Sequence, residues 1–244
     1  MTDRLAAIIF DVDGTLAETE EAHRAAFNQA FSEAGYGWVW TPDDYRRLLG
    51  VTGGKERIRQ FLDAATLDAT DKDIEALHRR KNAIYADRLK AGAVALRPGV
   101  ARLIDECSHA GIGLAIATTT SRANMLALLS ALFGSEAPDW LAVVVAGEDV
   151  VRKKPDPEVY RRAVEALGLP VSGCIAIEDS RNGLDAALGC GLATVVTPSV
   201  YTSHEQFAGA ALVCSDLDNA GTPIDVDRLA RILSSRQRRL FEAR

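Results

Sequence analysis

The chain has 244 residues, a formal net charge of −6, 48% hydrophobic residues and 25% charged ones. That length exceeds one typical domain and predicts one large core with a smaller appended unit. The composition excludes a disordered chain, and the acidic balance excludes non-specific nucleic-acid binding, which needs a surplus of Lys and Arg against the phosphate backbone.

In chain order, the first apolar run covers residues 5–10. It is too short for a signal-peptide core or a membrane span and leads straight into Asp11 and Asp13, so neither export nor a membrane partner is expected. Residues 19–92 carry no strand pattern. Ala22, Phe27, Ala30, Phe31 and Ala34 share one helical stripe, Ile58, Phe61, Leu62 and Ala65 another, and a third helix is predicted over 73–90. Leu96-Arg97-Pro98-Gly99 marks the end of this stretch. Beyond it, apolar runs at 113–118, 141–146, 174–177 and 193–196 read as buried strands, interleaved with helical patterns at 101–110, 123–133, 157–167 and 183–189. Asp156-Pro157 is a helix start signal, with Asp as N-cap and Pro in the first helical position. The alternation predicts an α/β fold: a Rossmann-like, doubly wound parallel core over 1–18 and 93–244, with a smaller all-helical unit at 19–92 inserted after the first strand. Cys107, Cys174, Cys190 and Cys214 lie far apart with no C-x-x-C pair or interleaved His, which favours a reduced, cytoplasmic chain without zinc.

In open α/β sheets ligands bind beyond the carboxyl ends of the strands. The residues there form a coherent set: Asp11-Val12-Asp13-Gly14-Thr15, then Thr118-Thr119-Thr120-Ser121, then Lys153-Lys154-Pro155, then Glu178-Asp179-Ser180. Asp11, Asp13 and Asp179 at one sheet edge would repel one another without a cation between them. Mg²⁺ fits best, being a hard ion that takes oxygen ligands and shares its shell with a substrate phosphate. An aspartate attacking a phosphate dianion faces about twice the roughly 4 kcal/mol that two like unit charges feel at about 4 Å and an effective dielectric of about 20. The metal and Lys154 offset that repulsion, while the Thr118 hydroxyl and the amides after it cradle phosphoryl oxygens. Asp11 would form an aspartyl-phosphate, and Asp13, two residues on, would protonate the leaving oxygen and then activate water. Singly these pieces are commonplace turns, caps and surface charges; their order, each at a strand end, carries the reading.

These residues resemble the haloacid dehalogenase superfamily, whose hallmark is D-x-D-G-T, a Ser or Thr, a Lys, and an acidic pair. The second aspartate is similar to the phosphatase and phosphomutase branch. The resemblance implies that Asp11 is nucleophile and metal ligand, that Asp13 is acid/base and binds metal through its carbonyl, and that Asp179 is the third protein ligand. It also implies that Thr118 and Lys154 hold the phosphoryl group, that Glu178 orients metal waters, and that the helical insert is a cap closing over substrate. Residues 17–24, 52–57, 78–81 and 117–121 resemble the CbbY subgroup, which removes the 1-phosphate of xylulose 1,5-bisphosphate.

On this resemblance Glu20 and His23 contact sugar hydroxyls, and Arg46, Lys55, Arg57 and Lys81 supply cations for a second phosphate, a task suited to Arg. Gly53, Gly54, His78, Thr119, Thr120, Ser121, Arg122 and Asn124 complete the expected substrate site; Ala123 stands where the subgroup pattern has proline.

The expected function is a monomeric, Mg²⁺-dependent phosphatase acting on a small phosphorylated metabolite, a sugar bisphosphate such as xylulose 1,5-bisphosphate. The nearest alternative is a phosphomutase of the β-phosphoglucomutase type; from another class comes a non-catalytic phospho-acceptor or phosphate-binding protein. Residues 50–56 are not a nucleotide-binding Walker loop, since no Ser or Thr follows Lys55 and no strand precedes it.

Overall fold

The computed structural model describes residues 4–134, 139–219 and 222–242. Its strands β1 (Ala7–Phe10), β2 (Gly113–Ala117), β3 (Leu141–Val145), β4 (Cys174–Glu178), β5 (Ala193–Val196) and β6 (Leu212–Val213) form one sheet in the order β3-β2-β1-β4-β5-β6. Every neighbouring pair is parallel, and β1 lies between β2 and β4. The order reverses at β1, which is where such sheets open a crevice at their carboxyl ends.

Strand alternation gives the two faces different characters. Ile8, Phe10, Leu114, Ile116, Ile175 and Ile177 point to one side, beneath α5 (Val100–Ala110), α6 (Arg122–Phe133) and α9 (Val226–Glu242). Ala7, Ile9, Ala115, Ala117 and Ala176 point to the other, under α7 (Glu158–Leu167) and α8 (Arg181–Gly189). The smaller side chains on that face let α7 and α8 approach closely and bring Tyr160 to the sheet. The helix α7 begins one residue later than its Asp-Pro signal suggests, and the Asp156 carboxylate accepts the Glu158 amide at 2.9 Å. In the core, α9 and β6 go beyond the sequence reading, and the two residues of β6 are too few to show a period.

Between β1 and α5 the chain forms α1 (Glu20–Glu33), α2 (Pro42–Leu48), α3 (Gly54–Ala65) and α4 (Asp71–Lys90). Reciprocal capping boxes start α2, from Thr41 and Asp44, and α4, from Thr70 and Asp73. At seven residues α2 is too short to display a stripe in sequence. Phe27, Phe31, Trp40, Tyr45, Ile58 and Leu77 form a separate core among these helices. The Asn28 amide clamps the Trp40 backbone, donating to its carbonyl at 2.9 Å and accepting its N–H at 2.8 Å. Farther along α4, Ile84, Tyr85 and Leu89 join the core of the large sheet. The outgoing and returning chains run side by side: Ala17 bridges Leu96 in antiparallel fashion, and the Arg97 amide donates to the Leu16 carbonyl at 2.8 Å.

Among the described residues no helix is long and apolar enough to cross a membrane, and the four cysteines are free. Phe31 is completely buried in the helical core, so Phe31→Ala is expected to cost about 3–5 kcal/mol through lost transfer energy and the cavity left behind. Urea unfolding monitored by tryptophan fluorescence checks this; a loss below about 1 kcal/mol would mean that the helical core collapses freely around the gap.

Candidate active site

Beyond the carboxyl ends of the strands lies a cavity of about 480 Å³, floored by the sheet loops and roofed by α1, α3 and α4. Its floor is organised by Lys154. The buried ammonium donates to Asp11 Oδ1 at 2.6 Å, Glu178 Oε1 at 2.7 Å and the Ala117 carbonyl at 2.9 Å. Asp11 follows β1 and Glu178 ends β4, so parallel pairing of these adjacent strands sets the two carboxylates side by side. The Tyr160 hydroxyl also donates to Glu178. A side chain on Gly183, in the first turn of α8, would collide with the Glu178 carboxylate, so this glycine is required for close approach.

Carboxylate oxygens of Asp11, Glu178 and Asp179 lie within 4.8 Å of one another, all buried. Against these three carboxylates Lys154 supplies one positive charge, leaving two negative charges to compensate; a divalent cation with oxygen preference fits this donor set. Burial pushes the Asp11 carboxyl up to about 8, with Lys154 opposing and Glu178 and Asp13 reinforcing the shift. Burial likewise raises Asp179, helped by Asp11 and Glu178. Burial alone would depress Lys154, but its two carboxylate partners outweigh it and hold the ammonium above its ordinary value.

Asp13 points away from this cluster towards the helices. It accepts the Thr19 hydroxyl at 2.6 Å and faces His23 Nε2 at 3.1 Å, while Lys81 Nζ lies 2.6 Å from His23 Nδ1. The ionised Asp13 carboxylate only accepts, so Nε2 carries the hydrogen towards it and the Nδ1 of a neutral ring is left to accept from Lys81. Burial works to raise Asp13, but His23 with the hydroxyls of Thr19 and Thr120 outweighs it and holds the carboxyl below the usual range. Burial moves Lys81 down to about 7. Burial and the neighbouring Lys81 lower His23.

On the roof, Arg57 Nη1 donates to the Tyr45 hydroxyl at 2.8 Å, which donates to Glu20 at 2.7 Å. Buried Arg57 Nε and Glu56 Oε2 have no hydrogen-bond partner among the described residues. Gly53 starts α3 with a φ of +107°, a conformation suited to glycine, and a side chain there would meet Glu56 and Lys153. Gly54 packs against His78, and Lys55 also lines the cavity. On the floor, Thr118 Oγ1 accepts the Thr120 amide at 3.1 Å and Ser121 caps α6. Thr119 lines the cavity, and Asn124 reaches Asn82 of α4 at 3.0 Å.

Two expected substrate residues are placed outside the cavity. Arg46 is held by Asp43, one helical turn back at 2.7 Å, and lies over the Tyr201 ring. The Arg122 guanidinium is engaged by Asp149. Conversely, the structure adds Thr19, Tyr160, Thr202 and Lys153, whose ammonium bridges to Glu56 across the cleft at 2.7 Å. Lys153 had a visible signal, its place beside Lys154 at a strand-end loop; Tyr160 and Thr202 had none, because only chain crossing brings them near.

Residues 8–197 match the haloacid dehalogenase-like hydrolase family. The chain belongs to the haloacid dehalogenase-like hydrolases. It is an enzyme, a phosphatase of the CbbY-like subgroup. It is 49% identical over 218 residues to protein CbbY of Rhodobacter capsulatus, covering 89% of this chain and 96% of the relative. The crystal structure of CbbY from Rhodobacter sphaeroides in complex with phosphate superposes with a TM-score of 0.87 at 47% identity, covering 91% of this chain and 99% of that one. A single-residue mutant of the same protein, crystallised with xylulose-(1,5)bisphosphate, gives 0.85 at 47% identity, covering 89% and 96%.

The His78 imidazole is lowered to about 4, by burial first and then by Lys81, Lys55 and Lys153. A histidine depressed on folding adds stability above its unfolded value near 6.5, and that stability is lost as pH falls through the folded value. The linkage is worth at most about 3 kcal/mol, less after screening at its exposed edge. His78→Gln is therefore expected to flatten the fall in unfolding free energy between about pH 6.5 and 4, measured by urea titrations across that range; an unchanged slope would refute the assignment.

Proposed function

We propose that the chain is a Mg²⁺-dependent phosphatase that transfers the phosphoryl group of a small sugar bisphosphate, xylulose 1,5-bisphosphate being the leading candidate, first to Asp11 and then to water. One observation carries the reading: a buried carboxylate after β1 is bonded to a buried lysine and grouped with two further carboxylates under a roof that carries cations. The residues at 19–92 act in this reading as a cap that closes over the substrate and excludes water.

Asp11, Asp179 and the Asp13 carbonyl would hold Mg²⁺, with Glu178 steadying the Lys154 side of the cluster. When bound, the ion neutralises the floor and draws negative charge off the phosphoryl oxygens. Lys154 and the Thr118 hydroxyl orient the phosphoryl group for an Asp11 oxygen to attack phosphorus as the bond to the sugar oxygen breaks. Asp13 supplies a proton to that departing oxygen. The approaching dianion raises the proton affinity of Asp13 where a donor is needed, offsetting the hold of His23 and Thr19. In the second half, Asp13 takes a proton from water, the water oxygen bonds to phosphorus, and Asp11 is released with inorganic phosphate.

The second phosphate calls for positive charge away from the floor. Arg57, Lys55, Lys81 and Lys153 line the cavity, and Arg57 Nε, which has no hydrogen-bond partner among the described residues, can donate to it. Structures of the 47% identical relative with phosphate and with xylulose-(1,5)bisphosphate support the substrate class.

Incubation with Mg²⁺ and xylulose 1,5-bisphosphate should release one equivalent of inorganic phosphate, and Asp11→Asn should lower kcat by about 10³-fold or more. Inertness with that substrate, alongside isomerisation of a sugar monophosphate, would overturn the reading. Arg57→Met is expected to raise KM for the bisphosphate about tenfold while leaving KM for a sugar monophosphate little changed. Equal rises for both would place Arg57 elsewhere in the cycle.

A further inference from the structure

We infer that Arg97 is a positioning residue for Asp179, fastening the junction between the helical segment and the sheet to the two loops that enclose that carboxylate. The inference rests on the metal reading above.

Arg97 is buried on the returning chain, where its amide is already paired with Leu16 across the junction. Its guanidinium collects carbonyls from three separate loops. Nη1 donates to Gly14 and, at 2.6 Å, to Thr197; Nη2 donates to Pro198 at 2.9 Å and Ser215 at 3.0 Å. Glu18 lies 3.4 Å from Nε and is partly exposed. Arg97 lines no part of the catalytic cavity, so it acts through what it holds.

What it holds converges on Asp179. Gly14 has a φ of +81°, and a side chain there would run into the Asp179 carboxylate, so its backbone is packed directly against that group. The loop after β5 closes the other side. Thr197 donates its amide to the Glu178 carbonyl at 2.8 Å, Ser199 donates its amide to the Thr202 hydroxyl at 2.9 Å, and that hydroxyl points to the Asp179 carbonyl at 2.8 Å and to its carboxylate at 3.2 Å. The loops after β1 and β5 thus press on Asp179 from two sides, and one planar five-donor fork fixes both. A lysine keeps the charge but reaches fewer of these carbonyls at once. The junction of the helical segment, which also holds Arg97, is thereby coupled to the geometry of the acidic cluster.

The test titrates metal-free wild type, Arg97→Met and Arg97→Lys with MgCl2 by isothermal calorimetry, with circular dichroism and thermal melts to follow the fold. Kinetics on xylulose 1,5-bisphosphate are measured at saturating Mg²⁺. Arg97→Met is expected to weaken Mg²⁺ binding about tenfold or more, Arg97→Lys to restore part of that loss, and KM for the sugar to stay within about threefold of wild type. A merely structural role would lower the melting temperature and leave the Mg²⁺ affinity of the folded fraction unchanged. Wild-type Mg²⁺ affinity in either folded variant overturns the inference; if Arg97→Met does not fold, Arg97→Lys decides. Wild-type protein that binds no Mg²⁺ overturns the metal reading and this inference together, whereas Mg²⁺ binding that ignores Arg97 overturns only the latter.

Discussion

The structure depends on one ammonium buried between two carboxylates. Lys154 reaches the strand ends from a loop distant in sequence and bonds Asp11 and Glu178 at once. Leaving any member of such a buried set unpaired costs about 3–5 kcal/mol, so the set is either whole or a liability. With Asp179 added, the cluster has more carboxylates than Lys154 balances, and this imbalance is the physical basis of the proposed cation site. The surrounding features serve it: Tyr160 supports Glu178, Gly183 makes room for it, and the small-residue face lets α7 bring Tyr160 close.

Asp13 belongs to a second electrostatic group, although only Val12 separates it from Asp11. Thr19, His23 and Lys81 form a chain behind it, and two of these stand on the helices of the roof. The acid/base candidate is therefore oriented by the segment that covers the cavity, while the nucleophile candidate is oriented by the sheet. Roof and floor are further tied by Lys153 to Glu56, Asn124 to Asn82 and Tyr201 to Glu21, polar contacts that two surfaces make and break more readily than an apolar seam. In this arrangement the full constellation exists only with the roof in place.

Residues directly after a buried strand were the most legible, because an apolar run and its carboxyl end are visible in one dimension. Asp11, Thr118 and Asp179 were read on that basis. Helical stripes similarly marked α1 and α3, since a repeat near 3.6 survives without knowledge of the partner surface. The short α2 and β6 carried too few residues to show a period, and α9 went unread. Arg46 and Arg122 lie outside the cavity lining, which a count of cations along the chain does not register, because Asp43 and Asp149 engage them locally.

The sequence by itself determined the fold class, the family and the chemistry-bearing loops, since backbone periodicity and short motifs are local properties. Tertiary structure alone decided which cations face the cavity, that Tyr160 supports Glu178, and that Arg97 joins three loops around Asp179. Those contacts join residues up to 118 positions apart. Over such separations direction and distance come from packing, and no spacing along the chain records them.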